Sequence, residues 1–320
     1  MSTNKTLTVT VLGLGTMGHG IAQAFAAAGH NVRCFDESAE ARSTLPERIG
    51  RNLQQRVHAD LDTEASVGET LGRLAVCATE KDALEGSEFV TEAVREDLQT
   101  KQDLFRRIED DVQPETILAS NTSSFPISQI SKHMKYPGRA LITHWFNPPH
   151  IVPLVEVVPS EETDRDCVDK TLDLLHRIGK LPVPLNKETT GFLINRIQVA
   201  MFREIWNLLD EGVATPEDID RAVRASLGFR LAAIGPLAIK DFAGLDVTAS
   251  VYQNLVTELK SDTNLPNGLR ELVASGRHGI KTGKGIYDYT PASVLEVTAE
   301  RDKRYLDLIK LFYSTTDIRK

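Results

Sequence analysis

Four short segments of the sequence carry side chains suited to moving a proton on and off a hydroxyl group. They are Ser120-Asn121-Thr122-Ser123-Ser124, His144-Trp145-Phe146-Asn147-Pro148-Pro149, Leu154-Val155-Glu156 and Gly191-Phe192-Leu193-Ile194-Asn195-Arg196. Oxidation of an alcohol by hydride transfer needs a base for the hydroxyl proton, and histidine exchanges a proton close to neutral pH. His144 is the candidate base, and the chain can return after the Pro-Pro turn to place Glu156 beside it. Ser123 and Asn195 are candidates to hydrogen-bond the substrate oxygen.

A turn near the start of the chain predicts where the hydride acceptor binds. The apolar run 9–12 is followed by Gly13-Leu14-Gly15-Thr16-Met17-Gly18 and then by an Ala-rich helical pattern. Gly13 permits the tight turn, Gly15 lets the backbone approach a pyrophosphate, and Gly18 lets the helix pack closely. Asp36 ends the next predicted strand, 23 residues after Gly13. A carboxylate there can accept hydrogen bonds from ribose hydroxyls.

The residues around Asp36 predict the type of dinucleotide. Glu37 follows Asp36, and no Arg stands directly after it to receive a 2′-phosphate, so NAD is favoured over NADP. The turn taken alone is also compatible with FAD. The expected cofactor-binding residues, with Asn147 on the nicotinamide side, are Gly13, Gly15, Thr16, Met17, Gly18, Asp36, Asn121 and Asn147.

The order of patterns predicts an α/β fold, a Rossmann-type mostly parallel sheet domain followed by an all-α C-terminal domain. Strands are predicted at 6–12, 31–35, 74–78, 89–94, 117–120, 140–145, 154–158 and 181–185. The polar stretch 38–72 is predicted to form an arm of two helices without a strand. The first domain is expected at 1–187 and the helical substrate and dimerisation domain at 188–320.

A long apolar helix is predicted at the start of the second domain. Residues 192–209 are apolar on nearly every face, which is typical of a buried helix. We expect it to be covered either by the rest of the chain or by a second copy, and a homodimer through the C-terminal domain is the prediction.

Composition excludes several classes of function. With 37 basic and 45 acidic residues the formal net charge is −8, which disfavours a general nucleic-acid or membrane-surface binder. Cys34, Cys77 and Cys167 are odd in number and far apart, which fits a reducing, cytoplasmic location rather than a disulfide framework. The N-terminus has no signal-peptide pattern, and no apolar run approaches the roughly 20 residues of a membrane span. The histidines have no ligand-like spacing, so no metal site is expected.

The chain resembles the 3-hydroxyacyl-CoA dehydrogenase family over nearly its whole length. The resemblance rests on the Gly-rich turn, the S-N-T-S, H-x-F-N-P and G-F-x-x-N-R segments, the K-T-G-x-G-x-Y segment at 281–287 and the helical second half. It implies that His144 is the general acid/base with Glu156 as its partner, and that Ser123 and Asn195 contact substrate. It also implies that Glu96 and Lys101 are cofactor-side residues. One departure is Thr190, where the family usually has proline.

Two features favour a small free hydroxy acid over a CoA ester. The arm segment 50–69 contains no Lys and four acidic residues against two arginines and His58, which suits a phosphorylated nucleotide poorly. The segment 228–236 has a basic residue, Arg230, before its apolar run and Ile-Gly-Pro. This form is similar to family members such as L-gulonate 3-dehydrogenase and L-carnitine dehydrogenase, and it makes Arg230 a candidate clamp for a substrate carboxylate.

Three alternatives remain at this point. The substrate can be a 3-hydroxyacyl-CoA such as 3-hydroxybutyryl-CoA. The chain can be a catalytically inactive NAD-binding structural or sensor protein, although the complete candidate set Ser123, His144, Glu156 and Asn195 argues against it. It can also act as an apolar interaction module built on the helix at 192–209.

Overall fold

The computed structural model describes residues 5–313, in which eight strands form one sheet. The strands are β1 (Thr8–Leu12), β2 (Asn31–Phe35), β3 (Leu74–Val76), β4 (Phe89–Glu92), β5 (Ile117–Ser120), β6 (Ala140–Trp145), β7 (Leu154–Val158) and β8 (Leu181–Pro184). Their order across the sheet is β3-β2-β1-β4-β5-β6-β7-β8. Every neighbouring pair is parallel except β6 and β7, which run antiparallel. The sheet and its helices confirm the predicted fold class.

Helices cover both faces of the sheet, so most strands are buried on both sides and read as continuous apolar runs. These helices are α1 (Gly18–Ala27), α2 (Ala39–Ser43), α3 (Leu45–His58), α4 (Glu64–Gly72), α5 (Glu80–Leu84), α6 (Leu98–Ile108), α7 (Ile127–Ile130) and α8 (Arg165–Arg177). One core joins α1, α3, α4 and α8 to the sheet. The other joins α5, α6 and α7 to it. Short 3₁₀ turns lie at Ser131–His133 and Pro137–Arg139.

The arm contains three helices, α2 to α4, so the prediction of two is wrong. The Ser38 side chain caps α2 by accepting the Ala41 N–H. Pro46 lies in the first turn of α3, where its missing N–H and fixed φ favour the start of a new helix. The arm is anchored to the first core through Leu45, Ile49 and Leu53, which are all buried.

The chain divides into two compact units. The first unit consists of residues 5–195 together with residues 302–313, and the second unit consists of residues 196–301. The boundary predicted from the sequence is at 187. The later helices are α9 (Ile194–Asp210), α10 (Pro216–Val223), α11 (Phe229–Ala233), α12 (Pro236–Ala243), α13 (Leu245–Leu255), α14 (Asn267–Ala274) and α15 (Pro291–Phe312), with a π-helical turn at Arg224–Gly228 and a 3₁₀ turn at Ile280–Thr282.

The second unit has almost no interior of its own. Within residues 196–301 only Gly285 is buried, and α9 has no buried residue although its pattern is that of a buried helix. Among residues 5–313 no single helix is long and apolar enough to span a bilayer. The bent pair Pro216–Ala233 and Pro236–Ala243, whose helices differ in direction by 97°, reaches that length and composition only jointly.

Gly18 packs so closely against the backbone of Gly13 that there is no room for a side chain. A Cβ on Gly18 would lie 1.7 Å from the Gly13 carbonyl oxygen, whereas a Cβ on Gly68, inside α4, would meet nothing within 4 Å. We expect Gly18→Ala to reduce the free energy of unfolding by about 3 kcal/mol or more, because the clash is with backbone. Gly68→Ala should be neutral or stabilising by up to about 1 kcal/mol. Urea unfolding followed by far-UV circular dichroism measures both, and equal stability of the two variants would contradict the expectation.

Candidate active site

The antiparallel pairing of β6 with β7 brings the predicted base and its partner together. His144 and Glu156 are direct cross-strand partners, so their side chains leave the sheet on the same face. His144 Nδ1 lies 2.7 Å from Glu156 Oε2, and both residues are buried. Because an ionised carboxylate only accepts hydrogen bonds, Nδ1 is assigned as the protonated ring nitrogen and Nε2 keeps its lone pair.

The other oxygen of Glu156 anchors the start of α9. Glu156 Oε1 accepts the backbone N–H groups of Leu193 at 3.0 Å and Ile194 at 2.8 Å. Gly191 and Phe192 both have positive φ, 76° and 51°, and this left-handed pair turns the chain so that the two N–H groups point at the carboxylate. The positive end of the helix dipole then favours the negative charge of Glu156.

Two aromatic rings and one hydroxyl surround the imidazole of His144. The rings of Phe146 and Phe192 have centroids 4.6 Å and 5.2 Å from that of His144. Ser123 Oγ lies 3.1 Å from His144 Nε2. The imidazole is therefore held by the two rings and by the hydrogen bond at Nδ1, and Nε2 faces the Ser123 hydroxyl, which a substrate hydroxyl could replace or join.

Glu96 positions the segment that carries Ser123. Its Oε1 accepts the N–H groups of Ser123 and Ser124, each at 3.0 Å, and the hydroxyl of Thr122 at 2.6 Å. Burial acts to raise the pKa of Glu96. The hydrogen bonds from Thr122 and the backbone, with the charge of Lys101, outweigh it, so the pKa lies below its ordinary value.

Lys101 lies in a buried ion pair. Its Nζ is 2.8 Å and 2.9 Å from the two carboxylate oxygens of Glu92 and 3.4 Å from Glu96 Oε2, and Lys101 and Glu92 are each 1% exposed. Ser120 Oγ donates a hydrogen bond to Glu92 as well. Glu96 and Lys101 were predicted from the sequence and Glu92 was not, although an acidic residue at the end of an apolar strand is a recognisable signal. The structure thus places the Lys101 ammonium between two carboxylates.

The Gly-rich turn forms the edge of a cavity that suits a dinucleotide. Asp36 accepts the N–H of Leu14 at 2.6 Å with one carboxylate oxygen and that of Ser38 at 2.8 Å with the other. A Cβ on Gly15 would meet nothing within 4 Å, which leaves its backbone open to a ligand. A cavity of about 680 Å³ lies beside the turn, lined among others by Gly13, Gly15 and Asp36. Thr16 and Met17 complete the turn before α1.

Three asparagines and one arginine complete the set of predicted site residues. Asn121 Oδ1 accepts the N–H of Trp145 at 3.0 Å, which ties the Ser123 segment to the strand of His144. Asn147 is exposed and precedes the cis peptide bond to Pro148. Asn195 is half-buried and follows Ile194 at the start of α9. Arg230 lies in α11 of the second unit, is exposed, and donates to the carbonyl oxygen and hydroxyl of Ser226.

Residues 5–313 contain no group of three or more His, Cys, Asp or Glu side chains that could hold a metal ion. The three cysteines are all buried and free.

The chain matches both halves of a described family. Residues 8–189 match the 3-hydroxyacyl-CoA dehydrogenase NAD-binding domain, and residues 191–289 match the 3-hydroxyacyl-CoA dehydrogenase C-terminal domain. The 5-formyl-3-hydroxy-2-methylpyridine 4-carboxylate 5-dehydrogenase of Mesorhizobium japonicum is 36% identical over 92% of this chain and 95% of that protein. A probable 3-hydroxybutyryl-CoA dehydrogenase of Bacillus subtilis is 35% identical over 88% of this chain and 96% of that protein.

A solved structure of an enzyme with the same name as the first of these relatives is similar to this chain. The crystal structure of a 5-formyl-3-hydroxy-2-methylpyridine 4-carboxylic acid 5-dehydrogenase, described as an NAD+-dependent dismutase, superimposes with a TM-score of 0.89. The superposition covers 96% of this chain and 98% of the chain in the crystal structure, and the two sequences are 32% identical. The cofactor predicted from Asp36 and Glu37 is thereby confirmed as NAD.

Replacing Glu156 by Gln tests the paired histidine. The amide keeps an oxygen for the N–H groups of Leu193 and Ile194 but presents an N–H to Nδ1, so the proton moves to Nε2 and the base is lost. We expect kcat to fall by about 10² to 10⁴, the scale of such tautomer errors in catalytic triads. NADH formation is measured with a substrate that the wild type turns over. Glu161→Gln, at an exposed position, is the control, and equal activity of both variants would remove the dyad from the mechanism.

Proposed function

The chain belongs to the 3-hydroxyacyl-CoA dehydrogenase family, and we propose that it oxidises the 3-hydroxy group of a small free hydroxy-carboxylate with NAD. The observation that carries the proposal is the pairing of His144 with Glu156 beside Ser123. This arrangement supplies a base with a fixed tautomer next to a hydrogen-bond donor, which is what removal of a hydroxyl proton requires.

The residues divide the reaction between them. His144 Nε2 takes the hydroxyl proton while Glu156 stabilises the imidazolium that forms, and in the reverse direction the same nitrogen returns the proton to the carbonyl oxygen. Ser123 and Asn195 hold that oxygen. NAD+, when bound at the Gly-rich turn, accepts the hydride from the alcohol carbon. Asn147 is assigned to the nicotinamide side, as the sequence predicts.

The charges on the arm support a free acid as substrate. Arg56 is paired with Asp62 at 2.6 Å, and the guanidinium of Arg51 lies 3.9 Å from Glu47. The two arginines of segment 50–69 therefore already face acidic partners. Asp60 is exposed and lies 3.8 Å from Lys310 Nζ. Binding the phosphates of CoA to such a surface would leave like charges close together.

The relatives support both a free acid and a CoA ester. The Mesorhizobium japonicum enzyme is named for a pyridine carboxylate, a small acid without CoA, and it matches this chain over nearly its full length. The Bacillus subtilis relative is named for a CoA ester, so 3-hydroxybutyryl-CoA is the alternative substrate. The assignment of Arg230 to the substrate carboxylate rests on the sequence alone, and a cytoplasmic location also stays a prediction.

A substrate panel decides between these possibilities. NADH formation is followed with free 3-hydroxy acids, aromatic hydroxy-carboxylates and 3-hydroxyacyl-CoA esters. We expect turnover of at least one free acid and at least tenfold lower kcat/KM for 3-hydroxybutyryl-CoA. Arg230→Met should raise KM for the preferred acid about tenfold or more, whereas Arg221→Met, whose guanidinium pairs with Asp218, should not. Turnover of the CoA ester alone would refute the free-acid proposal, and NAD binding with no turnover at all would favour the inactive alternative.

We also propose that the C-terminal helices join two copies of the chain. Large apolar side chains of the second unit stand in solvent in the single chain, among them Leu237 at 82%, Phe242 at 84% and Tyr252 at 66% exposure. Monomeric proteins seldom leave so much apolar surface uncovered, and a second copy offers the same kind of surface.

Light scattering after size-exclusion chromatography tests the dimer. We expect twice the chain mass of 35.4 kDa for the wild type. Phe242→Glu should shift the protein towards monomer, because burying an unpaired carboxylate in an apolar interface is costly. Glu161→Gln, which lies in the first unit and outside the C-terminal helices, should leave the mass unchanged. A wild-type monomer at micromolar concentration would remove the proposal.

A further inference from the structure

A buried lysine holds the segment that connects the two strands of the dyad. Lys180 lies directly before β8 and is 5% exposed. Its Nζ donates hydrogen bonds to the carbonyl oxygens of Pro149 at 2.7 Å and Val152 at 2.9 Å. The same nitrogen lies 5.3 Å from the ring centroid of Trp145, within the range of a cation–π contact. All three contacts fall between His144 and Glu156 in the sequence.

The connecting segment 146–153 needs an external hydrogen-bond donor. Pro148, Pro149 and Pro153 have no N–H groups, so the segment offers few donors to its own carbonyls. The N–H groups of Ile151 and Val152 are both directed at the carbonyl oxygen of Pro148. Without Lys180, the carbonyls of Pro149 and Val152 would lose these hydrogen bonds, which is costly for buried groups.

The segment also touches the cofactor side of the site. A Cβ on Gly20 of α1 would lie 2.7 Å from Pro149 Cγ, so the segment packs directly against the helix that follows the Gly-rich turn. At its other end it continues into Trp145, whose N–H is bonded to Asn121. The distance between the dinucleotide turn and the dyad therefore depends on how this segment is held.

We propose that Lys180 is a positioning residue for hydride transfer, which fixes segment 146–153 so that Asn147 and His144 keep their places relative to the bound dinucleotide. Burial, and to a smaller extent the charge of Arg56, lowers the pKa of Lys180 to about 7. A neutral amine still has two N–H groups, so the contacts to Pro149 and Val152 persist in either charge state. The inference rests on the proposed role of His144 and is independent of which substrate is used.

Lys180→Met tests the proposal, because methionine keeps most of the length and apolar stem of lysine and removes the donors. A misplacement of the reacting groups by about 1 Å can lower the reaction rate about 10²-fold. We expect kcat to fall about 10- to 100-fold on the best substrate of the wild type and the primary deuterium isotope effect on kcat to rise. The dissociation constant of NADH should change by less than about threefold, because the Gly-rich turn and Asp36 remain. Lys170→Met, at an exposed lysine paired with Asp166, is the matched control and should change none of these values.

A readout without turnover separates this inference from the proposed function. The chain has two tryptophans, so in a Trp206→Phe background Trp145, the ring beneath Lys180, is the only one. Energy transfer from Trp145 to saturating NADH then reports the position of the segment, and we expect Lys180→Met to alter its efficiency. If the wild type turns over no substrate, the proposed function fails, but this measurement still decides whether Lys180 holds segment 146–153 in place.

Three results would overturn the inference. They are unchanged transfer efficiency in Lys180→Met, kcat within twofold of the wild type, and a loss of activity that is fully explained by weaker NADH binding. If Lys180→Met does not fold, Lys180→Gln is measured in the same way, because its amide nitrogen is one bond closer to the backbone and no longer reaches both carbonyl oxygens at hydrogen-bonding distance. An activity and isotope effect for Lys180→Gln equal to those of the wild type would likewise overturn the proposal.

Discussion

One antiparallel strand pair in an otherwise parallel sheet places His144 opposite Glu156, and the rest of the site is built on that register. Side chains alternate between the faces of a strand, so a slip of one residue would move Glu156 to the other face and leave His144 without a partner. The same carboxylate binds the first N–H groups of α9. Sheet register, base orientation and the start of the helical region therefore meet at one side chain.

Two buried lysines flank this dyad and serve the same end. Lys101, paired with Glu92, lies beside Glu96, which holds the backbone of Ser123. Lys180 holds the segment after His144 through two carbonyl groups. Burying a charged group is expensive and often adds little net stability. Their value lies in the geometry that they impose, since a proton or hydride passes efficiently only between groups held in place.

In the function that we propose, different parts of the chain carry out the chemistry and choose the substrate. A base, a partner carboxylate and a dinucleotide turn suit any secondary alcohol, and this set is compatible with both a CoA ester and a free acid. We propose that selection falls to charged groups away from the reacting atoms. On the arm, Arg56 and Arg51 already face acidic side chains, which weakens the case for a phosphorylated substrate. Family membership alone therefore leaves the substrate open.

Much of the fold and site could be predicted from local patterns. Short stretches of sequence are enough to predict the turn Gly13–Gly18, the eight strands, and His144 with Glu156. Turn chemistry, strand alternation and helix periodicity are all local properties of the sequence. The exposure of α9 in the single chain could not be predicted, because an all-round apolar pattern indicates that the helix is covered but not whether the same chain or a second copy covers it.

The sequence by itself determined the cofactor turn, the fold class and the identity of the candidate base. Tertiary structure decided which groups those residues meet. Three contacts join residues that are 9 to 31 positions apart in the chain. They are the cross-strand pair of His144 and Glu156, the ion pair of Glu92 and Lys101, and the hydrogen bond from Lys180 to Pro149. Such contacts depend on how strands are ordered in the sheet and how burial penalises unpaired charges and carbonyls, which no short stretch of sequence records.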